Sequence, residues 1–269
     1  MTDRFDLPVE EVTAMVQAAS QLALTWFRRA GTEPLAVENK LAAEGRFDPV
    51  TVADRAVEDA LRAALLQRFP EHLVYGEERG VSGNPSSAYR WVIDPIDGTR
   101  AFVTGQPQWG TLLGLQRGDD VLAGWLHQPT LGHTYVGAEG HAALHEGSST
   151  SPLRVSGQTD LEDAILLCTH PEMFTPGEEA TSFARIQARV RMTRFSGDCL
   201  NYGYVATGYA DLVIEADLQP YDVIPLIPII ERAGGVITDR EGRPPLAGGW
   251  AIGAATPELH RAALDLLNE

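Results

Sequence analysis

Asp94 and Asp97 stand three residues apart in Trp91-Val-Ile-Asp94-Pro-Ile-Asp97-Gly-Thr99, at the end of an apolar run. The run reads as a buried strand that ends at Asp94, because Pro95 has no amide with which to continue a ladder. Two acids at a buried strand end are costly unless cations neutralise them. A hard divalent ion such as Mg²⁺ is the simplest compensation, and the Ile96 carbonyl offers it a further oxygen. Gly98 and Thr99 can then open a helical turn whose amides face an anion, a place that suits phosphate. The plainer alternative is a turn of solvated acids, common wherever Asp meets Gly.

Other acids sit at similar junctions. Gly76-Glu77-Glu78 follows a short apolar run, Phe47-Asp48-Pro-Val-Thr51 precedes a helix, and Asp222 opens another helix after the strand bearing Glu215. Acidic sites at four element ends match what a multi-metal phosphoryl-transfer centre requires: metal-binding carboxylates, an acid to orient water and a helix start for phosphate. Taken singly, a Glu-Glu pair reads as a solvated face and an Asp before a helix as a cap. Rival chemistries lack their signatures. A phosphatase with an aspartyl nucleophile needs its two Asp residues two apart, and no GxSxG, HExxH, phosphate-loop or EF-hand pattern occurs. His141 and His145 are four apart beside Glu146, but among short strands and turns that spacing gives no expectation of a shared metal.

The elements that must position these groups follow from periodicity. Residues 9–28 carry a stripe of Val12, Met15, Val16, Ala19, Leu22, Ala23, Trp26 and Phe27, which predicts one amphipathic helix. Thr51 and Asp54 form a capping box for a second helix that ends at Phe69-Pro70. Leu73–Tyr75, Arg90–Ile93, Thr111–Leu115 and Val121–Leu126 read as strands, the last two joined by the turn Arg117–Asp120. From about residue 138 strands alternate with helices, at Leu153–Ser156, Ala164–Cys168, Val190–Phe195, Asp211–Ile214, Gly235–Thr238 and Trp250–Gly253, with helices at Cys199–Thr207 and Val223–Ala233. Thr256-Pro257-Glu258 opens a final helix. The expected division is an α+β half over residues 1–145 and an α/β half over 146–269, with the Glu146–Pro152 loop between them.

Composition bounds the answer. With 269 residues, 44% apolar and 22% charged, the chain falls in the soluble globular class. Its longest aliphatic run, Val223–Ile230, contains Pro225 and Pro228, too short and too broken for a membrane span. The amino terminus lacks a basic segment followed by an apolar one, so a cytoplasmic protein is expected. A formal charge of −16 disfavours nucleic acid and anionic membranes, and it would repel a phosphorylated substrate unless divalent cations mask it. Two cysteines exclude a disulfide scaffold, and Lys40 is the only lysine.

The three acidic segments, Gly76-Glu77-Glu78, Asp94-Pro-Ile-Asp97-Gly-Thr99 and Tyr221-Asp222 ahead of a helix ending Ala233-Gly-Gly235, together resemble the signatures of the inositol monophosphatase superfamily. The resemblance runs from about residue 10 to the end. It implies a five-layered αβαβα sandwich, Mg²⁺-dependent hydrolysis of a small phosphate ester, two or three ions per site, inhibition by Li⁺, and a homodimer. Carried over by motif, Glu77, Asp94, the Ile96 carbonyl, Asp97 and Asp222 would hold metal. Thr99 and Asp48 would orient the attacking water, with Glu77 contributing to catalysis, and the Gly98 and Thr99 amides would bind phosphate. Within the superfamily, Ser196-Gly-Asp-Cys199 and Glu215-Ala-Asp-Leu-Gln-Pro-Tyr-Asp222 resemble the bacterial and plant histidinol-phosphate phosphatases, which implies that Asp198 and Glu215 bind substrate. Arg100 in place of the commoner lysine, and the extra Pro225, depart from the pattern. An inositol-1-phosphate or broad sugar-phosphate phosphatase would share the same centre. A non-catalytic interaction protein would be marked by a lost ligand, and every ligand position here is filled.

Overall fold

The computed structural model describes residues 5–28, 37–40 and 49–269. Helix α1 (Val9–Ser20) buries Val12, Val16 and Ala19 as the stripe predicts, but the chain then tightens into a 3₁₀ turn over Gln21–Thr25 instead of continuing to residue 28. Strands β1 (Val37–Asn39) and β2 (Pro49–Thr51) pair antiparallel and lead into α2 (Val52–Arg68). The capping box is present: Thr51 accepts from the Ala53 amide, and Asp54 Oδ2 accepts from the Thr51 amide at 2.9 Å.

An eight-stranded sheet follows, built from β3 (Leu73–Gly76), β4 (Gly80–Gly83), β5 (Tyr89–Asp97), β6 (Gly110–Arg117), β7 (Asp120–Gln128), β8 (His133–Ala138), β9 (His141–Glu146) and β10 (Ser149–Pro152), with the short helix α3 (Thr99–Val103) after β5. Its order is β10-β9-β8-β7-β6-β5-β3-β4, parallel only between β3 and β5. The second sheet holds β11 (Ile165–Cys168), β12 (Met192–Phe195), β13 (Leu212–Leu218), β14 (Val236–Thr238) and β15 (Gly249–Ala254) in the order β12-β11-β13-β15-β14. Its helices are α4 (Glu178–Gln187), α5 (Leu200–Ala206), α6 (Pro220–Val223), α7 (Leu226–Arg232) and α8 (Pro257–Leu267).

Alternation along the strands sorts side chains into three cores. Trp91, Ile93, Leu113 and Trp125 face α1 and α2. Leu112 and Leu126 face Leu200, Leu226 and Ile230 of α5 and α7, which also meet Val213 of the second sheet. Leu212, Ile214 and Ile252 turn the other way, onto Phe183 and Ile186 of α4 and Leu259 and Ala263 of α8. The result is helix, sheet, helix, sheet, helix: the five-layered α/β sandwich. The middle layer lies close to the first sheet, since a Cβ on Gly124 would stand 1.8 Å from the Pro225 carbonyl. Only glycine lets the backbones meet there.

Several expectations need correction. Strand β5 does not stop at Asp94. It runs to Asp97 because its register with β6 shifts between Asp94↔Leu112 and Asp97↔Gly110, a bulge that accommodates the missing Pro95 amide. Leu153–Ser156 is not a strand: the Leu153 amide goes to Ala142 and the Val155 amide to Ala233, two separate elements, so no ladder forms. The helix expected over 223–233 is two pieces, α6 and α7, parted at Ile224-Pro225. The Glu146–Pro152 stretch is not simply a loop: Ser149–Pro152 pairs back on β9 as the last strand of the first sheet.

Candidate metal and phosphate site

Strand β5 delivers Asp94 and Asp97, and the turn after β13 delivers Asp222 from the other sheet. One ligand oxygen from each lies within 4.8 Å of the others. At that separation each pair of like charges repels by roughly 3 kcal/mol at an effective dielectric of about 20. Each carboxylate is oriented by its element. Asp222 Oδ2 accepts from the Gln219 amide at 2.7 Å, closing the first turn of α6. Asp97 Oδ1 accepts from the Cys199 amide at 2.8 Å, which ties it to the start of α5. Asp94 is 2% exposed, and its Oδ1 has no hydrogen-bond partner.

All nine described residues expected at the site, Glu77, Asp94, Ile96, Asp97, Gly98, Thr99, Asp198, Glu215 and Asp222, line one cavity of about 430 Å³. Asp48 lies outside the described residues. Gly98 is at φ 87°, and a Cβ there would meet the Gln108 carbonyl at 2.8 Å, so the turn that presents Thr99 requires glycine. The Thr99 hydroxyl donates to the Ile96 carbonyl at 2.9 Å and stands 3.4 Å from Asp54 Oδ1. Gly98, not Thr99, is the N-cap of α3.

Three residues at the site had no functional reading from sequence. Asp54 is absorbed there by its capping box, yet capping uses Oδ2 and leaves Oδ1 to Thr99. Lys40 donates to Glu77 at 2.7 Å and also to Glu78, although no motif contains it. His170, just after β11, lines the cavity with its Nε2 3.1 Å from Arg100 Nη1. The buried Glu58 fixes the acidic turn from below, accepting from the Glu78 amide at 2.7 Å and the Arg79 amide at 3.1 Å.

The inositol monophosphatase family pattern matches residues 8–269. The chain belongs to that family. It is 36% identical to the bifunctional phosphatase IMPL2, chloroplastic, of Arabidopsis thaliana over 82% of this chain and 66% of that protein. With a histidinol-phosphatase of Streptomyces coelicolor it shares 35% identity over 87% of this chain and 89% of the other. A solved inositol monophosphatase from Zymomonas mobilis superposes with a TM-score of 0.80 at 31% identity, covering 97% of both chains. As a member of the family the protein is a phosphoric monoester hydrolase, and its acidic cluster is one that could hold metal.

Burial gives this family site an unusual titration. It pushes Asp97 up to about 6 against the opposing Cys199 amide, and Glu77 to about 7 against Lys40. It likewise raises Glu215 to about 7, and Asp198 to about 8 with help from Asp97 and Glu215. Asp94 and Asp222 rise well above the usual carboxylate range, first by burial and then by neighbouring acids. Unfolded carboxyls titrate near 4, so between about pH 4 and 8 the metal-free fold binds more protons than the unfolded chain, and its stability falls as pH rises. Melting of metal-free protein should therefore occur at a lower temperature at pH 8 than at pH 5, with added Mg²⁺ restoring more at pH 8. A metal-free melting temperature that climbs across this range would contradict that electrostatic picture.

Proposed function

We propose that this protein hydrolyses L-histidinol phosphate to L-histidinol and phosphate with the aid of Mg²⁺, a step of histidine synthesis. The observation that carries the phosphatase chemistry is the convergence of Asp94, Asp97 and Asp222 beside the Thr99–Asp54 pair. The residues fit a hard cation: the donors are all oxygens, and Asp94 Oδ1 is buried with no other partner. Asp94, Asp97, Asp222, the Ile96 carbonyl and Glu77 would hold two or three ions. When bound, such ions neutralise the phosphoryl oxygens and acidify the attacking water.

The chain's own groups do the rest. The Gly98 and Thr99 amides bind the phosphate. Thr99 has one hydroxyl proton and two candidate acceptors, Ile96 and Asp54. Turned toward Asp54, it leaves its lone pairs to receive a proton from a water held in line with the scissile bond, and Asp54 takes the proton onward. Burial raises the Asp54 pKa, which makes it a stronger base. Asp54 thus fills the role that the resemblance gave to Asp48.

Substrate choice rests on the acids at the far side of the cavity. Histidinol phosphate carries an ammonium near its ester oxygen and an imidazole that can be charged near neutral pH, whereas inositol phosphate offers hydroxyls. Asp198 and Glu215 suit the first. Glu215 Oε1 already accepts from the Thr169 amide at 2.9 Å, the Thr169 hydroxyl at 2.7 Å and Asn201 at 3.0 Å, so it is held in place, and a cation bound beside it would favour its charged form and draw its raised pKa back down. Asp198 does not cap α5, whose N-cap is Cys199 with no side-chain bond. Held at φ 47°, it is free to meet the ammonium. Relatives that carry the histidinol-phosphatase name favour the same substrate. An inositol or sugar phosphate remains the second reading, because inositol monophosphatases also stand among the relatives. A homodimer, a cytoplasmic location and inhibition by Li⁺ complete the proposal on the resemblance alone; among the described residues no helix is long and apolar enough to cross a membrane.

The test is a selective loss. A charge-assisted hydrogen bond contributes roughly 1.5–3 kcal/mol, so Asp198→Ala should cut kcat/KM for histidinol phosphate about 10- to 150-fold and leave inositol 1-phosphate hydrolysis nearly unchanged. Equal losses on both esters would remove Asp198 from substrate recognition.

A further inference from the structure

His141 and His145 lie on β9, and neither lines the phosphate cavity. On a strand, residues four apart point to the same face, so no helix is needed to align them. Their rings lean together nearly parallel, at 15° with centroids 5.7 Å apart, and the Nε2 atoms approach to 3.4 Å. Glu10, in the first turn of α1, completes the group: its carboxylate oxygen and the two imidazole nitrogens all lie within 4.8 Å of one another. The four-residue spacing that gave no expectation from sequence is thus a real alignment, joined by a carboxylate from a distant part of the chain.

We infer that Glu10, His141 and His145 form a transition-metal site, with Zn²⁺ the ion that fits, and that the ion ties the start of α1 to β9. Two nitrogens each about 2.0–2.1 Å from Zn²⁺ at the tetrahedral angle stand about 3.4 Å apart, which is the separation observed. The same bond length at an octahedral right angle would bring them to about 2.9 Å. Two imidazoles and one carboxylate also suit Zn²⁺ better than Mg²⁺ or Ca²⁺, which take oxygen ligands. Thr150 supports the alignment from behind. Its hydroxyl lies 3.3 Å from His145 Nδ1, and in the tautomer in which Nδ1–H donates to it, the Nε2 lone pair is left for metal. Glu10 is exposed and both histidines are half-buried, so an ion reaches the site from solvent and keeps a fourth position for water. A pair of histidines sharing one N–H···N hydrogen bond, with Glu10 solvated, is the ion-free alternative.

The full chain, stripped of metal and then saturated with Mg²⁺ to fill the carboxylate cluster, is titrated with Co²⁺ as a spectroscopic substitute for zinc. One equivalent should bind with the visible absorption of four-coordinate cobalt and be displaced by one equivalent of Zn²⁺. His141→Ala and His145→Ala should each weaken binding more than about 100-fold, beyond the loss typical when only a ligand's hydrogen-bond partner is removed. Glu10→Gln should weaken it as well, and all three variants should keep Mg²⁺-dependent phosphate release near wild type. Failure of the wild-type chain to bind that equivalent overturns the inference whether or not the variants fold. So does cobalt absorption that survives the double histidine substitution.

Discussion

Asp94→Asn and Asp97→Asn are each expected to lower Mg²⁺-dependent phosphate release at least about 10³-fold, comparable to removing a principal electrostatic stabiliser of a transition state. The amide keeps the shape of the side chain and loses the charge that would hold the cation. Folding should survive, and the metal-free variants should melt no lower than wild type. Each substitution removes one of three like charges that lie within 4.8 Å of one another. That pairing of lost activity with retained or raised metal-free stability separates a ligand from a structural acid. An Asp holding the fold together would lose both, and phosphate release measured beside a metal-free melt tells the two apart.

The second large effect concerns Thr99 and Asp54. Thr99→Ala and Asp54→Asn should each reduce kcat by about 10²- to 10⁴-fold, the range for a positioned general base, with KM little changed because orienting the nucleophile acts in the transition state. Asp54 has a second duty, as the partner of Thr51 in the cap of α2. Asn is a sound test because its carbonyl oxygen can still accept the Thr51 amide. If Asp54 only capped the helix, the variant would lose no more than about 1 kcal/mol of stability and keep its turnover.

The sequence is most legible where one physical demand dominates. The capping box at Thr51 and Asp54 starts α2, Thr256 caps α8, and the acidic segments come together on one cavity. It is least legible where a residue serves two demands or a partner is distant in the chain. Asp54 reads as a cap because its first oxygen is one, and nothing local reveals that the second oxygen faces Thr99. Strands β8 to β10 carry His, Thr, Ser and Glu among few long apolar residues, and β10 is exposed along its length, so their periodicity is faint. Helix α4 buries only Ser182, Phe183 and Ile186, too narrow a stripe to stand out. Pro95 argues for a strand end on propensity, and a single bulge against β6 defeats that argument. Glu10 and the β9 histidines are joined by tertiary packing alone.

The central claim is the substrate, and one measurement bears on it most directly: kcat/KM for phosphate release from L-histidinol phosphate, inositol 1-phosphate and fructose 1,6-bisphosphate by the full chain under identical Mg²⁺. The acids Asp198 and Glu215, in the cavity that also gathers Asp94, Asp97 and Asp222, predict that histidinol phosphate is the preferred ester. A preference for inositol 1-phosphate or fructose 1,6-bisphosphate would contradict the account and leave a phosphatase whose far-side acids serve some purpose other than holding a cationic substrate.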